Sequence, residues 1–87
     1  MFVKFSNHSK IQMLVRGTNE NEVIESIEKG EWQPAKDNKL HSKYSFLFQA
    51  ISPVNKQFYE FKTVDAIFVD ENSEIIVVTV KVFYHNE

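Results

Sequence analysis

The sequence has no cysteine, only two glycines and two prolines, and no long apolar run. The lack of cysteine excludes disulfides, thiolate metal sites and cysteine nucleophiles, so stability must come from packing. The longest strongly apolar stretch, Ile75 to Val80, is far too short to span a bilayer, and residues 1–4 lack the layout of a signal peptide. We therefore expect a cytoplasmic protein with no membrane partner.

The apolar content is sufficient for one packed core. Hydrophobic residues make up 43% of the 87 residues and include eight phenylalanines, three tyrosines and Trp32, which is typical of a folded chain rather than a disordered one. A chain of this length has room for a single core. We expect one domain spanning residues 1–87, folded alone or with a copy of itself.

The charges are unevenly distributed along the chain. The net charge of −2 argues against non-specific electrostatic binding to nucleic acid. Between Lys36 and Lys62, however, five lysines oppose two acidic residues, whereas beyond Lys62 five acidic residues oppose Lys81 alone. The sequence therefore predicts a modest charge polarity.

Turn and capping residues predict two short helices. Ser6 or Asn7 caps the first helix, which runs to about Arg16 and ends at Gly17. Asn19 caps the second, which Gly30 ends. The apolar stripes are Ile11, Leu14 and Val15 in the first helix and Val23, Ile24 and Ile27 in the second. Met13 lies on the far side of the first helix from Ile11, so this helix is expected to contact two surfaces, the sheet and the second helix.

From Leu40 onward the apolar period changes to two. Leu40 to Ala50, Phe58 to Val69 and Glu74 to about Tyr84 are predicted strands, and residues 1–5 form a short edge strand. The predicted fold is α+β, with two short N-terminal helices packed on one face of a three- to four-stranded antiparallel sheet, in the order β-α-α-β-β-β.

Two helices of this length can cover only one face of such a sheet. The alternation places Ile76, Val78, Val80, Val82 and Tyr84 on one face and Thr79 and Lys81 on the other. The apolar residues expected on the uncovered face are Leu47, Ile75, Val77 and Phe83. An uncovered apolar face usually marks a binding surface, which predicts self-association or a protein partner.

No motif specifies a reaction. The three histidines have no metal-ligand spacing, the glutamates of the second helix read as a solvated face, and there is no glycine-rich phosphate loop or nucleophile elbow, so neither a metal nor a cofactor is expected. His8 lies one turn before Ile11, where a packing role is expected, and His41 and His85 read as solvated strand residues. Lys81 interrupts an apolar strand, and such a charge must reach water or a partner.

One stretch resembles a known family. His8, Met13, Arg16 and Gly17 form the pattern H-x-x-x-x-M-x-x-R-G, which is followed by a capped second helix and a valine-rich strand containing Thr79 and Val80. This is similar to an uncharacterised bacterial domain family that is grouped with the RelE/ParE-like toxins of toxin–antitoxin pairs. The resemblance implies the same β-α-α-β-β-β order.

Two functions remain open. The uncovered apolar sheet face favours a non-catalytic interaction module on the same fold, which forms a homodimer or binds a small protein such as an antitoxin through that face. The resemblance implies the other function, that of a toxin that cleaves mRNA on the ribosome, a reaction that needs a base, an acid and cations but no protein nucleophile. On the second alternative Lys62 and Lys81 hold phosphate with Arg16 assisting, and His85 or Tyr84 transfers protons. The candidate residues are His85, Tyr84, Lys81 and Arg16 for catalysis and Lys43, Lys62 and His8 for substrate binding.

Overall fold

Two helices and five strands make up the fold in the computed structural model, which describes residues 2–87. The helices are α1 (Asn7–Arg16) and α2 (Glu20–Lys29). The strands are β1 (Phe2–Phe5), β2 (Gln33–Pro34), β3 (Leu40–Ile51), β4 (Phe58–Glu71) and β5 (Glu74–His85). The predicted α+β class is confirmed.

The five strands form one mixed sheet in the order β1-β5-β4-β3-β2. The prediction of a purely antiparallel sheet of three to four strands was wrong in two respects. The short strand β2 adds an edge by pairing with β3, and β1 runs parallel to β5, with Phe2 opposite Glu74. A strand of two or four residues carries too little pattern to specify its neighbour, so neither pairing was visible in the sequence.

Both helices begin where the capping residues predict. Ser6 accepts a hydrogen bond from the Ser9 amide at 3.1 Å, and Asn19 accepts one from the Glu22 amide at 2.9 Å. Gly17 ends α1 in the left-handed conformation with φ 84°. The boundaries predicted for α1 and α2 are confirmed.

A β-bulge in β5 changes which side chains face the helices. Ile67 of β4 pairs with Thr79, but the next residue, Phe68, pairs with Val77, so Val78 is an extra residue in β5. The bulge reverses the alternation. Ile75 and Val77 are only 3% and 0% exposed and belong to the core, and their predicted place on the uncovered face was wrong. Thr79, Lys81 and Phe83, which follow the bulge, lie on the uncovered face as predicted.

Helix α1 packs on the sheet through polar side chains and the buried Met13, not through its apolar stripe. Ser6 donates a hydrogen bond to the Val78 carbonyl at 3.3 Å, and Gln12 accepts one from the Val80 amide at 2.8 Å. These contacts bind α1 to the bulged segment of β5. As a result Ser9 and Met13 lie on the buried side of α1. The stripe on the opposite side is exposed, with Ile11, Leu14 and Val15 at 61%, 84% and 66%.

The core lies between the sheet and the two helices. In α2 the predicted stripe is confirmed for Val23 and Ile27, which are 0% and 1% exposed. Trp32 donates a hydrogen bond to the Ile27 carbonyl at 2.8 Å and packs edge-on against Phe68. The buried apolar residues are Met13, Val23, Ile27, Val64, Ala66, Phe68, Ile75, Val77 and Val80.

Because of the bulge, truncating the smaller side chain Val77 is expected to destabilise the protein more than truncating the larger Leu47. Val77→Ala removes methyl groups from the core and is expected to lower the free energy of unfolding by about 2 kcal/mol. Leu47→Ala removes more atoms from a side chain that is 68% exposed, and the expected loss is below about 0.5 kcal/mol. Urea denaturation of both variants checks this order. Equal losses would contradict the bulge at Val78.

Candidate functional site

The face of β3, β4 and β5 that is turned away from the helices carries a mixture of cations, histidines, hydroxyls and rings. We call it the open face. Cross-strand pairing arranges its side chains in rows of three, each with a central residue on β4. The rows are His41–Ile67–Thr79, Lys43–Asp65–Lys81, Ser45–Thr63–Phe83 and Leu47–Phe61–His85.

Asp65 is the central acid of the open face. It is only 5% exposed and lies directly between Lys43 and Lys81 on the neighbouring strands. Its Oδ1 is 3.1 Å from Nδ1 of His41, a side chain that is 22% exposed. The Asp65 carboxylate accepts a hydrogen bond from Nδ1–H of His41, which leaves Nε2 of the neutral imidazole as its free acceptor. The arrangement orients one histidine beside two lysines.

A pocket lies beside this row, beneath the turn that connects β2 to β3. Asp37 and Asn38 at the tip have φ 58° and 60°, and the Lys39 amide donates to the Lys36 carbonyl at 3.2 Å, which closes a tight turn. The pocket has a volume of about 320 Å³. Its lining residues, none of which carries a carboxylate, are Ala35, Lys36, Lys39, Ile67, Thr79 and Lys81. Three lysine side chains around one cavity favour an anionic ligand.

The other end of the open face carries a chain of hydrogen bonds and three aromatic rings. Ser45 and Thr63 hydroxyls are 2.7 Å apart, and the Thr63 hydroxyl is 2.8 Å from Nε2 of His85. The His85 ring stacks on Phe61 with ring centres 5.7 Å apart, and Phe83 is 48% exposed beside them. This end presents flat, partly exposed rings next to polar groups.

The open face and helix α2 differ in their balance of charges. The open face and its turn carry four lysines (Lys36, Lys39, Lys43 and Lys81) and two acidic residues (Asp37 and Asp65), whereas α2 carries four glutamates (Glu20, Glu22, Glu25 and Glu28) and Lys29. The net charge of −2 therefore conceals a positive face.

Three of the candidate residues named from the sequence lie on the open face. They are Lys43, Lys81 and His85. Two residues that the sequence reasoning missed, His41 and Asp65, lie among them. One signal was available, because Asp65 is a lone carboxylate within the apolar part of a central strand. Its partner His41 lies 24 residues away and is identified only by the register of β3 on β4.

Lys62, another candidate, lies on the helix side of the sheet in a buried ion pair. Its Nζ is 2.7 Å from Oε1 of Glu22 and donates to the Gly17 carbonyl at 3.0 Å, and its side chain is 7% exposed. Glu22 also accepts a hydrogen bond from the Thr18 hydroxyl at 2.7 Å. Lys62 thus connects β4 to the segment between the two helices, and this geometry gives it a structural role.

Tyr84, Arg16 and His8 also lie away from the open face. The Tyr84 hydroxyl donates to the Arg16 carbonyl at 2.6 Å. Burial, and secondly the charge of Glu22, raise the pKa of Tyr84 above its usual value, so the phenol keeps its proton and acts as a donor. His8 is exposed in the first turn of α1, so the packing role expected for it was wrong.

Residues 2–87 contain no group of three or more histidine, cysteine, aspartate or glutamate side chains that could hold a metal ion. In the same residues no helix is long and apolar enough to cross a membrane.

Comparison with known proteins adds no relative. No family model, no curated protein and no solved structure matches this chain. Its function must therefore be inferred from its own geometry.

The buried ion pair predicts a large stability effect at Lys62. Lys62→Ala leaves Glu22 and the Gly17 carbonyl without their cation, and breaking such a pair costs about 3–5 kcal/mol when both partners are buried. Because Glu22 keeps some contact with water, we expect a loss of about 2 kcal/mol in the free energy of unfolding. Lys43→Ala, on the exposed side of β3, is the matched control and should change stability by less than about 0.5 kcal/mol. Equal, small effects in chemical denaturation would contradict the structural role of Lys62.

Proposed function

We propose that this chain is a small module of RelE/ParE-like architecture whose open face binds single-stranded RNA. The observation that carries the proposal is the combination, on one sheet face, of a lysine-rich end and an end with exposed aromatic rings. Proteins that bind single strands combine cations along the phosphate backbone with rings on which bases stack. Lys43, Lys81 and the pocket lysines supply the first element, and Phe61 and Phe83 supply the second.

The spacing of the open face suits an extended strand. Successive rows are two residues apart along the strands, which is about 7 Å. The row of Lys43 and Lys81 is next to the row of Phe83, which is followed by the row of Phe61. A phosphate bound by the ammonium groups of Lys43 and Lys81 lies above Asp65, whose carboxylate is buried and hydrogen-bonded to His41, and it leaves the neighbouring bases over the rings. The acidic residues of α2 lie on the opposite side of the sheet and do not repel such a ligand.

Self-association through the sheet face has less support than the sequence suggested. The prediction of self-association rested on four apolar side chains, and two of them, Ile75 and Val77, are buried in the core. Leu47 and Phe83 remain exposed, in two adjacent rows that also contain hydroxyls and His85. A face of this mixed composition is better matched to nucleic acid than to a copy of itself.

The pair of His41 and Asp65 favours a second, catalytic function, that of an endoribonuclease. Nε2 of His41 can accept the proton of a ribose 2′-hydroxyl as its oxygen attacks the adjacent phosphorus. Lys43 and Lys81 flank Asp65 and can stabilise the charge that develops on the phosphate oxygens. The bond to the 5′-oxygen breaks, that oxygen takes a proton from a lysine or from water, and the products are a 2′,3′-cyclic phosphate and a free 5′-hydroxyl.

The geometry changes the roles that the resemblance implied for the histidines. His41 lies at the pocket end of the open face, whereas His85 lies in the last row at the other end, where it is bonded to Thr63 and stacked on Phe61. Six residues of strand separate the two rows, a distance of about 20 Å. We therefore assign proton transfer to His41, and we assign to His85 a contact with a nucleobase of the RNA.

Binding is tested by fluorescence anisotropy with a short, labelled single-stranded RNA. Lys43→Ala and Lys81→Ala should each weaken binding and reduce the slope of log affinity against log salt by about 0.7. Phe83→Ala should weaken binding by about 1–3 kcal/mol through the loss of one stacked base. Lys29→Ala, an equal change of charge on α2, is the matched control and should bind as the wild type does. Absence of binding, or equal losses in Lys29→Ala and Lys81→Ala, would refute the RNA-binding function.

Cleavage is tested separately, by gel analysis of the same RNA at saturating protein. His41→Ala should slow cleavage by about 100-fold or more while affinity is nearly unchanged, because general base catalysis typically contributes 10²–10⁴-fold. His41→Gln is a second variant that keeps a side-chain donor for Asp65. The all-deoxy strand of the same sequence lacks the attacking hydroxyl and must remain intact.

A cell experiment complements the cleavage assay. Expression of the wild-type chain in a bacterial host should slow growth and degrade message, and Lys81→Ala and His41→Ala should not. Intact RNA at saturating wild-type protein would exclude the ribonuclease function. The RNA-binding function would then be decided by the anisotropy experiment alone.

A further inference from the structure

The helix side of the molecule carries an exposed apolar surface that the open face does not explain. We call it the α1 surface, and it consists of Ile11, Leu14, Val15, Pro53 and Val54. Leu14 is 84% exposed, and Ile11, Val15 and Val54 are each more than 60% exposed. Contiguous apolar patches on a small protein usually mark an interaction site.

The α1 surface surrounds a cleft that the fold holds in place. The cleft has a volume of about 470 Å³ and lies between the end of α1 and the turn between β3 and β4. Its lining residues are Val15, Arg16, Pro53, Val54, Val82 and Tyr84.

Two sets of contacts make the cleft rigid. A Cβ atom on Gly17 would lie 2.5 Å from the Tyr84 hydroxyl and 2.7 Å from Pro53, so the backbone passes close to both. Ser52, which is fully buried, bonds to the Val54 amide through its side chain and to the Lys56 amide through its carbonyl. The cleft is therefore formed before any ligand binds.

The charged side chains of α1 itself are all positive, and one acidic residue, Glu20 of α2, lines a groove beside Lys10 and Leu14. From Asn7 to Arg16 the helix contains Lys10 and Arg16 and no acidic residue. Both side chains are exposed. In the sequence Lys10 directly precedes Ile11, and Arg16 directly follows Val15. The surface is therefore complementary to a ligand that is apolar on one side and acidic around it.

We propose that the α1 surface is the docking site for an acidic amphipathic segment of another protein. An apolar side chain of that segment fills the cleft beside Val15 and Val54, the next apolar residues cover Ile11 and Leu14, and its carboxylates face Lys10 and Arg16. This is the helix-in-groove mode of recognition, in which a few apolar anchors supply most of the affinity.

The same observations disfavour two other occupants. A symmetric contact between two α1 helices brings the cations of one copy against those of the other. A contact between α1 of one copy and α2 of another lacks an apolar complement, because the exposed residues of α2 are Glu20, Asn21, Glu28 and Lys29. An anionic bilayer requires a cluster of about four to eight basic residues, whereas Lys10 and Arg16 are only two. A concave cleft also suits a side chain better than a flat membrane.

The test is a selection of peptides from a random display library on the wild-type protein, with Leu14→Glu as the counter-selection. Enriched peptides should combine aspartate or glutamate with apolar residues at helical spacing. The best of them, made synthetically, should bind Leu14→Glu at least tenfold more weakly than the wild type. Leu47→Glu, the same substitution at an exposed leucine on the open face, should bind as the wild type does.

Three controls keep the result interpretable. Amide NMR spectra establish that Leu14→Glu is folded, and shifts on peptide binding should concentrate in residues 10–17 and 53–54. The proposal is overturned by enrichment of basic or neutral peptides, by no enrichment, or by shifts confined to β3–β5. It is also overturned if the wild type dimerises or binds phosphatidylglycerol vesicles and Leu14→Glu does not, as measured by light scattering and co-sedimentation.

Discussion

The extra residue at Val78 determines how the rest of the molecule is arranged. A bulge leaves backbone groups of the strand without partners in the ladder, and these groups must be satisfied in another way. Ser6 and Gln12 at the start and middle of α1 bond to the Val78 carbonyl and the Val80 amide. The polar side of α1 must therefore face the sheet. As a consequence, the apolar stripe of the same helix faces solvent. The bulge also changes the face of the sheet on which the β5 residues before Val78 lie.

The bulge also determines which side chains of β5 face the core on either side of it. Before it, Ile75 and Val77 point into the core, and after it Val80 does. After it, Thr79, Lys81 and Phe83 point to the open face, next to the β4 residues Ile67, Asp65 and Thr63. One sheet thus presents a mainly apolar face to the helices and, to solvent, a face that combines lysines and hydroxyls with exposed apolar side chains. Lys62 is a charged residue on the helix side, where its ammonium is neutralised by Glu22.

The sequence predicted those features that depend on local chemistry. The caps Ser6 and Asn19, the left-handed end at Gly17, the α2 stripe and the three long strands depend on residues close together in the chain, and all are confirmed. The bulge was not predictable because residues 75–78 are all apolar and β-branched, so both alternations fit the pattern equally well. The α1 stripe was misplaced for the same reason, since its orientation depends on backbone groups that only the bulge exposes. The pair of His41 and Asp65 required the register between two strands, which no local pattern contains.

The parallel pairing of β1 with β5 ties the two ends of the described chain together. Phe2 to Phe5 lie beside Glu74 to Val77, and α1 is bonded to β5 across 68 residues of sequence. Neither β1 nor α1 has its native partner until β5 has been synthesised, so contacts of this long range make folding slow. During translation Val3, Phe5 and Met13 therefore remain exposed to water until β5 is complete. A chaperone that shields these three side chains at this stage would act on residues that are synthesised well before the strand that covers them.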